Sequence, residues 1–370
     1  MGPALVLPRL VFGAGGLAVL GTELALLGVR RPLLISDRGL EGAGLVAAVE
    51  RAVPDFAAMY LDVPENPTAA GADGAFAAYR AAGCDGVVAL GGGSVLDTAK
   101  IVAALAGGTV EGGARDLIGK PELIGAVVPL VAIPTTIGTG SECSPVAALH
   151  LVAGGPGFGT RHPLLVPRVA LCDPDLTRTL PKRLIAATAI DALSHCVEGF
   201  FANPANPLID ALALDGAARV FADVHKALEP DGDAARASLM AAAFSGGAAI
   251  HKGLGPAHAV ALVCGDQDVH HGTLIGVALP RTTHMLAEYV PDKAARLARA
   301  IGLGSGEDLA DALRALVKSL GLPATLAASG YRTGDRAKLV DDMVRSHFNR
   351  TSPYVPTNED YQAILTDVAA

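Results

Sequence analysis

The chain has 370 residues and a formal net charge of −8, with Lys and Arg scattered rather than clustered, which excludes a nucleic-acid surface built on a basic stripe. Its length predicts two domains rather than one core, and no uninterrupted apolar run reaches the ~18 residues of a membrane-spanning helix. MGPALVLPRLVFG lacks the charged start and long apolar stretch of a signal peptide, and Cys84, Cys143, Cys172, Cys196 and Cys264 are odd in number and without paired spacing. Free thiols in a reducing cytoplasm suit that pattern better than a disulfide framework.

The first half alternates short β-rich runs with Ala-rich helical patterns. Strands are predicted at 32–37 (PLLISD), 57–62 (AAMYLD), 86–90 (GVVAL), 127–133 (VVPLVAI) and 168–172 (RVALC), and helices at 42–51, 69–82 and 94–106. That alternation predicts an α/β domain with an open, mostly parallel sheet. The Gly/Pro-rich passage 153–167 reads as a hairpin and loop. Past DPDLTRTLP (173–181) strand patterns disappear, and helices are predicted at 182–201, 207–227, 234–249, 292–301, 306–320 and 336–345. The expectation is therefore an α/β domain over 1–180 and an all-helical domain over 181–370.

Four stretches carry chemistry. Asp37 ends a strand, where a carboxylate accepts both hydroxyls of an adenosine ribose and repels a 2′-phosphate, favouring NAD over NADP; it is equally a common turn former. In GGGSVLDTAK (91–100) a strand runs through glycines into a helix opened by Ser94, so the backbone can approach a pyrophosphate at a helix N-terminus. The spacing is not GxGxxG, and a turn with an N-cap is its plainer reading. PTTIGTGSE (134–142) sets hydroxyls and glycines at the end of another strand, again where open α/β sheets bind ligands. Asp191 and His195, in AIDALSHCVEGF, lie four residues apart on one helix face and can reach a single divalent cation, or simply pair with each other. His258 and His271 would complete a set of three imidazoles and one carboxylate, which suits Fe2+ or Zn2+ rather than Ca2+ or Mg2+.

With these motifs the chain resembles the iron-containing (group III) alcohol dehydrogenase family over essentially its whole length. The residues carrying the likeness are GGGSVLDTAK, PTTIGTGSE, DPDLTRTLP, DALSH (191–195) and GLGPAH…HHG (253–272). The resemblance implies a dehydroquinate-synthase-like architecture: an NAD-binding α/β domain, a helical metal-binding domain and an active site in the cleft between. It implies iron, or zinc, held by Asp191, His195, His258 and His271, the last preferred over His270 because it directly precedes Gly272. It also implies NAD contacts from Asp37, Gly92, Gly93, Ser94, Asp97, Thr135, Thr136, Thr139 and Leu180. The expected activity is hydride transfer between nicotinamide and an alcohol or aldehyde, extending to a hydroxy acid or semialdehyde, in a cytoplasmic homodimer without nucleic-acid or membrane partners.

Two departures stand out. Relatives usually carry a proton-relaying His four residues after the third ligand, where this chain has Leu262, and Tyr354 stands where they often have Arg. His251 and Asp268 are the remaining candidates for proton handling, and Lys252, Arg161 and Arg281 for steering an anionic substrate. Competing expectations are a lyase or glycerol-phosphate dehydrogenase of the same architecture, or a non-catalytic nucleotide-binding paralogue. The Asp ligand in DALSH points away from the synthase, whose ligands are Glu and His.

Overall fold

A computed structural model describes residues 4–53, 55–267, 269–304 and 308–369. The chain separates into two compact units, one of Val6–Thr136 with Ser141–Leu180, the other chiefly of Ile137–Gly140 with Pro181–Ala370.

The first unit holds strands β1 (Arg9–Phe12), β2 (Pro32–Ile35), β3 (Ala58–Tyr60), β4 (Gly86–Gly91), β5 (Leu130–Pro134), β6 (Val146–His150), β7 (Gly157–Arg161) and β8 (Val169–Cys172). Its helices are α1 (Leu20–Leu26), α2 (Arg38–Gly42), α3 (Leu45–Ala52), α4 (Ala69–Ala81), α5 (Gly93–Ala106) and α6 (Ala114–Leu117). Six strands form one sheet in the order β1-β8-β5-β4-β2-β3, parallel at every pairing, while β6 and β7 make a separate antiparallel hairpin. Every residue of β2, β4, β5 and β8 is buried, which is why these segments read as unbroken apolar runs rather than alternating ones. Alternate residues feed two cores: Leu33, Ile35, Val87 and Ala89 pack on one face, Leu34, Val88, Leu90 and Val131 on the other. Strand order reverses between β2 and β4, and the crevice beyond the carboxyl ends at such a switch point is where open α/β sheets take ligands.

Helices of the second unit are α7 (Lys182–Phe201), α8 (Pro207–Ala227), α9 (Asp233–Ala249), α10 (Pro256–Val263), α11 (His271–Ala287), α12 (Pro291–Ala300), α13 (Leu309–Ser319), α14 (Arg336–Val344) and α15 (Asn358–Ala369). Helix α7 is buried at every position from 185 to 201, and α8, α9 and α11 pack around it. By length and composition α7 is apolar enough to cross a membrane, but here it is the centre of the bundle.

Three departures from the sequence reading have physical reasons. β1 is a short edge strand, mostly exposed, so it lacks a buried-strand pattern. The hairpin begins at Val146, before the Gly/Pro-rich passage that signals its turn. α11 contains Pro280 within a fully packed segment, where tertiary burial overrides a helix-breaking residue.

A buried polar cluster ties α5 to the stretch after β5. Lys100 Nζ donates to Ser144 O at 3.0 Å and to Val146 O at 2.6 Å, and lies 3.8 Å from Asp97. Asp97 accepts from Ser141 Oγ at 2.5 Å and from Ala148 N at 2.8 Å. Glu142 is buried, and its Oε1 has no hydrogen-bond partner. Burial pushes its carboxyl up to about 7 against the opposing pull of its own backbone N–H and Lys100, while burial pulls Lys100 down to about 8 against Asp97 and Glu142. A carboxyl raised on folding retains a proton that the unfolded chain has already released, so stability falls as pH rises from about 4.5 to about 7. Glu142→Gln should remove that fall, read as a thermal midpoint that declines less than wild type between pH 5 and pH 7; parallel curves for the two proteins would refute the assignment.

Candidate functional site

Helix geometry places Asp191, His195 and Glu198 on one face of α7, at spacings of four and three residues. His258 sits in the first turn of α10, which opens on Pro256, and His271 is the first residue of α11. One donor atom each from Asp191, His195 and His258 lies within 4.8 Å of the others, all three residues being buried. His195 Nε2 and His271 Nε2 both stand 3.7 Å from Asp191 Oδ1. The His195 and His258 rings stack with centroids 5.0 Å apart, and the His271 ring is 5.5 Å from that of His258. His271 stands apart from that trio, its side chain about half exposed and outside the mutual reach of the other three.

The electrostatics favour a cation. Asp191 Oδ1 and His258 Nε2 are buried without a hydrogen-bond partner, at a cost of about 1–3 kcal/mol each. Burial alone would raise the Asp191 carboxyl, yet the imidazoles of His195, His271, His258 and His270 outweigh it and hold it below its ordinary value. Burial depresses His195, and Asp191 only partly offsets this. Desolvation and the neighbouring imidazoles push His271 down to about 4 against the pull of Asp191. The result is one ionised carboxylate among neutral imidazoles, the state in which each offers a lone pair. An orphaned carboxylate oxygen facing an orphaned imidazole nitrogen fits a divalent ion that takes both nitrogen and oxygen.

One residue of this centre escaped the sequence reading. His258 Nδ1 donates to Glu198 Oε2, and the other carboxylate oxygen accepts from Ala257 N at 2.7 Å. Its position one turn after His195 on the ligand face was the available signal.

In the sheet unit, β4 and β5 are in register at Gly91 and Pro134, so GGGS and Pro134-Thr135-Thr136 emerge side by side. Gly92 is the N-cap of α5 without a side-chain cap, leaving the first N–H groups, those of Gly93 and Ser94 among them, to a ligand. A Cβ on Gly92 would stand 3.0 Å from Thr136 Cγ2, and Thr136 Oγ1 is buried without a partner. That narrow cradle with an orphaned hydroxyl fits a dinucleotide passing between the strand ends. Thr135 is buried, its N–H bonded to Gly91 O at 3.1 Å. Ser94 Oγ donates to Glu65 O, and both oxygens of Asp97 are engaged within the polar cluster, so these two side chains brace the crevice. Asp37 caps α2, its Oδ1 accepting from Leu40 N at 2.9 Å, at the carboxyl end of β2. Leu180 closes the sheet unit, whereas Thr139 belongs to the helical one.

The substrate-steering candidates are committed elsewhere. Lys252 is no surface charge: it is buried, 2.5 Å from Asp210, and donates to Phe200 O at 3.1 Å. Arg281 pairs with Asp367 at 2.8 Å. Arg161 lies on the β7 hairpin, and burial lowers its guanidinium. Tyr354 stacks on Tyr289 at 4.0 Å and donates to Asp360 at 2.6 Å. His251 is buried, and Asp268 lies outside the described residues.

Comparison with known proteins agrees across the chain. Residues 8–174 match the family model for iron-containing alcohol dehydrogenase, and residues 185–369 match the C-terminal model of the Fe-containing alcohol dehydrogenase family. A 4-hydroxybutyrate dehydrogenase of Cupriavidus necator is 37% identical over 95% of this chain and 95% of its own length. An NAD-dependent methanol dehydrogenase of Bacillus methanolicus is 29% identical over 97% of both chains. Among solved structures, a 1,3-propanediol oxidoreductase superposes with a TM-score of 0.93 at 26% identity, covering 100% of each chain.

Gly92→Ala should fill the cradle against Thr136 and weaken NADH binding about tenfold or more with an unchanged circular dichroism spectrum. Wild-type NADH affinity in that variant, measured by fluorescence titration, would remove Gly92 from the dinucleotide site.

Proposed function

The chain belongs to the iron-containing alcohol dehydrogenase family, and from that premise we propose that Asp191, His195, His258 and His271 hold the metal while the GGGS and PTT turns hold NAD. The activity is that of an NAD- and metal-dependent alcohol dehydrogenase and aldehyde reductase. The observation that carries the ligand assignment is the convergence of three buried donor atoms within 4.8 Å, with Asp191 Oδ1 left unpaired among them.

When bound, the iron supplies a Lewis acid at the substrate oxygen and NAD supplies the hydride acceptor or donor. The protein's own residues do the rest. Asp191 contributes one negative charge and the imidazoles none, so the site with a divalent ion keeps a net positive charge and favours a substrate oxygen that becomes anionic. Burial of the ligands around this point lowers the local dielectric and strengthens that preference. The uncapped start of α5 receives the pyrophosphate, and Asp37 receives the adenosine ribose and disfavours a 2′-phosphate. Leu262, one turn beyond His258, offers only methyl groups, so the alcohol proton leaves by a route other than a side chain at that position: water, the nicotinamide ribose hydroxyl or another residue.

For the substrate we infer a short ω-hydroxy acid and its semialdehyde, supported by the relative in Cupriavidus necator that acts as a 4-hydroxybutyrate dehydrogenase. A cytoplasmic homodimer is part of the same reading. The exposed apolar residues Leu10 and Phe12 on edge strand β1 support it, because an uncovered edge of that kind invites a second chain.

The test is NADH oxidation at 340 nm by iron- and zinc-loaded protein over a panel of aldehydes, including 4-oxobutanoate and unsubstituted butanal. Turnover with preference for the acid is expected; none on any aldehyde by metal-loaded protein would overturn the assignment of the site. His195→Ala should lose most bound metal in elemental analysis, whereas wild-type metal content in that variant would break the ligand set.

A further inference from the structure

Glu198 stands out among the buried ionisable side chains because both of its oxygens act on α10. The carboxylate comes from α7, two turns after Asp191, and is fully enclosed. Oε2 accepts from His258 Nδ1, and Oε1 accepts from Ala257 N at 2.7 Å. Gly255, just before α10, leaves the room: a Cβ there would stand 2.9 Å from Glu198 Oε1. His258 Nε2, on the far side of the same ring, is the buried nitrogen without a partner. From this geometry we propose that Glu198 is the positioning residue of the metal centre: it fixes His258 as the tautomer with its proton on Nδ1 and its lone pair on Nε2, aimed at Asp191 and His195. The proposal rests on the ligand set given above.

The chemistry requires a carboxylate at this place. Two N–H groups, those of Ala257 and His258 Nδ1, converge on one side chain, and an ionised carboxylate is acceptor-only on both oxygens. Glutamine has the same shape but one acceptor and one donor. Its NH2 must face either the Ala257 N–H, leaving two donors opposed in a dry interior, or His258 Nδ1. In the second arrangement His258 Nδ1 becomes the acceptor, the ring proton moves to Nε2 and the lone pair meant for the metal is lost. Either outcome weakens the site without changing the net volume of the core. The anion also makes the imidazole a stronger donor than a neutral acceptor would, as carboxylate–histidine–metal triads do. Because Glu198 shares α7 with Asp191 and His195, one rigid helix aligns two ligands directly and a third through its partner.

The experiment titrates metal-free protein with Co2+ against a chromophoric chelator and records the visible spectrum of the bound ion, alongside the thermal midpoint of each variant. Glu198→Gln should bind Co2+ about 10- to 100-fold more weakly than wild type and with an altered visible spectrum while still folded. Gly255→Ala, which presses on Oε1 but leaves every charged and ligating group in place, should weaken binding in the same direction by a smaller factor. It also keeps the proposal testable should Glu198→Gln fail to fold. A purely structural Glu198 would lower the thermal midpoint and leave Co2+ affinity and spectrum as in wild type; that result in folded Glu198→Gln overturns the proposal. His195→Ala separates the two levels. If it binds Co2+ like wild type, the ligand set falls and this role with it. If it loses Co2+ while Glu198→Gln retains full affinity, only the role of Glu198 falls.

Discussion

A carboxylate oxygen buried without a partner is the constraint on which the helical unit depends. Asp191 lies in the middle of α7, the helix buried on all sides, where an isolated charge is costly and a group normally neutralises or finds a counter-ion. Four imidazoles from three elements are gathered around it and hold its carboxyl below the ordinary value. Gathering them decides much else. α10 must begin where His258 can reach, α11 must begin at His271, and the main chain of Gly138 must meet His195. A helix with Asp191, His195 and Glu198 along one stripe is a poor device for stability and a good one for holding a cation. Replacing such buried polar groups with apolar ones would often stabilise a core, so their presence points to function.

The sheet unit solves a complementary problem. A phosphate-bearing ligand needs free N–H groups and room for backbone, and both arise where a buried strand turns into a helix without a side-chain cap. Gly92 supplies the room, since any Cβ would press on Thr136, and the parallel register of β4 with β5 brings the hydroxyl turn beside it. The buried cluster of Lys100, Asp97, Ser141 and Ala148 then ties α5 to the segment after β5, so the two turns cannot drift apart. Asp97, a residue of the glycine motif, thus acts on the segment after β5 through Ser141 and Ala148.

Much of this was legible because it is local. The apolar runs of β2, β4 and β5, the glycine turn opening α5 and the Asp191–His195 spacing are all readable from neighbours in sequence. What was not legible depends on partners far along the chain. Lys252 looks like a surface charge and is instead buried against Asp210, 42 residues away. Glu198 looks like one more helix acid until His258, 60 residues on, arrives at its oxygen. α11 hides behind Pro280, tolerated because its surroundings are packed, and β1 hides because an edge strand has little burial to impose a pattern.

Leu262 follows from the same physics. It occupies the α10 position four residues after His258, on the same face, and is only partly buried. A titratable ring there would add a further like-charged group beside imidazoles that already depress one another, as the pull on His195 and His271 shows. An aliphatic side chain adds no such depression and carries no proton. One turn beyond His258, the chain therefore presents aliphatic surface rather than a titratable group.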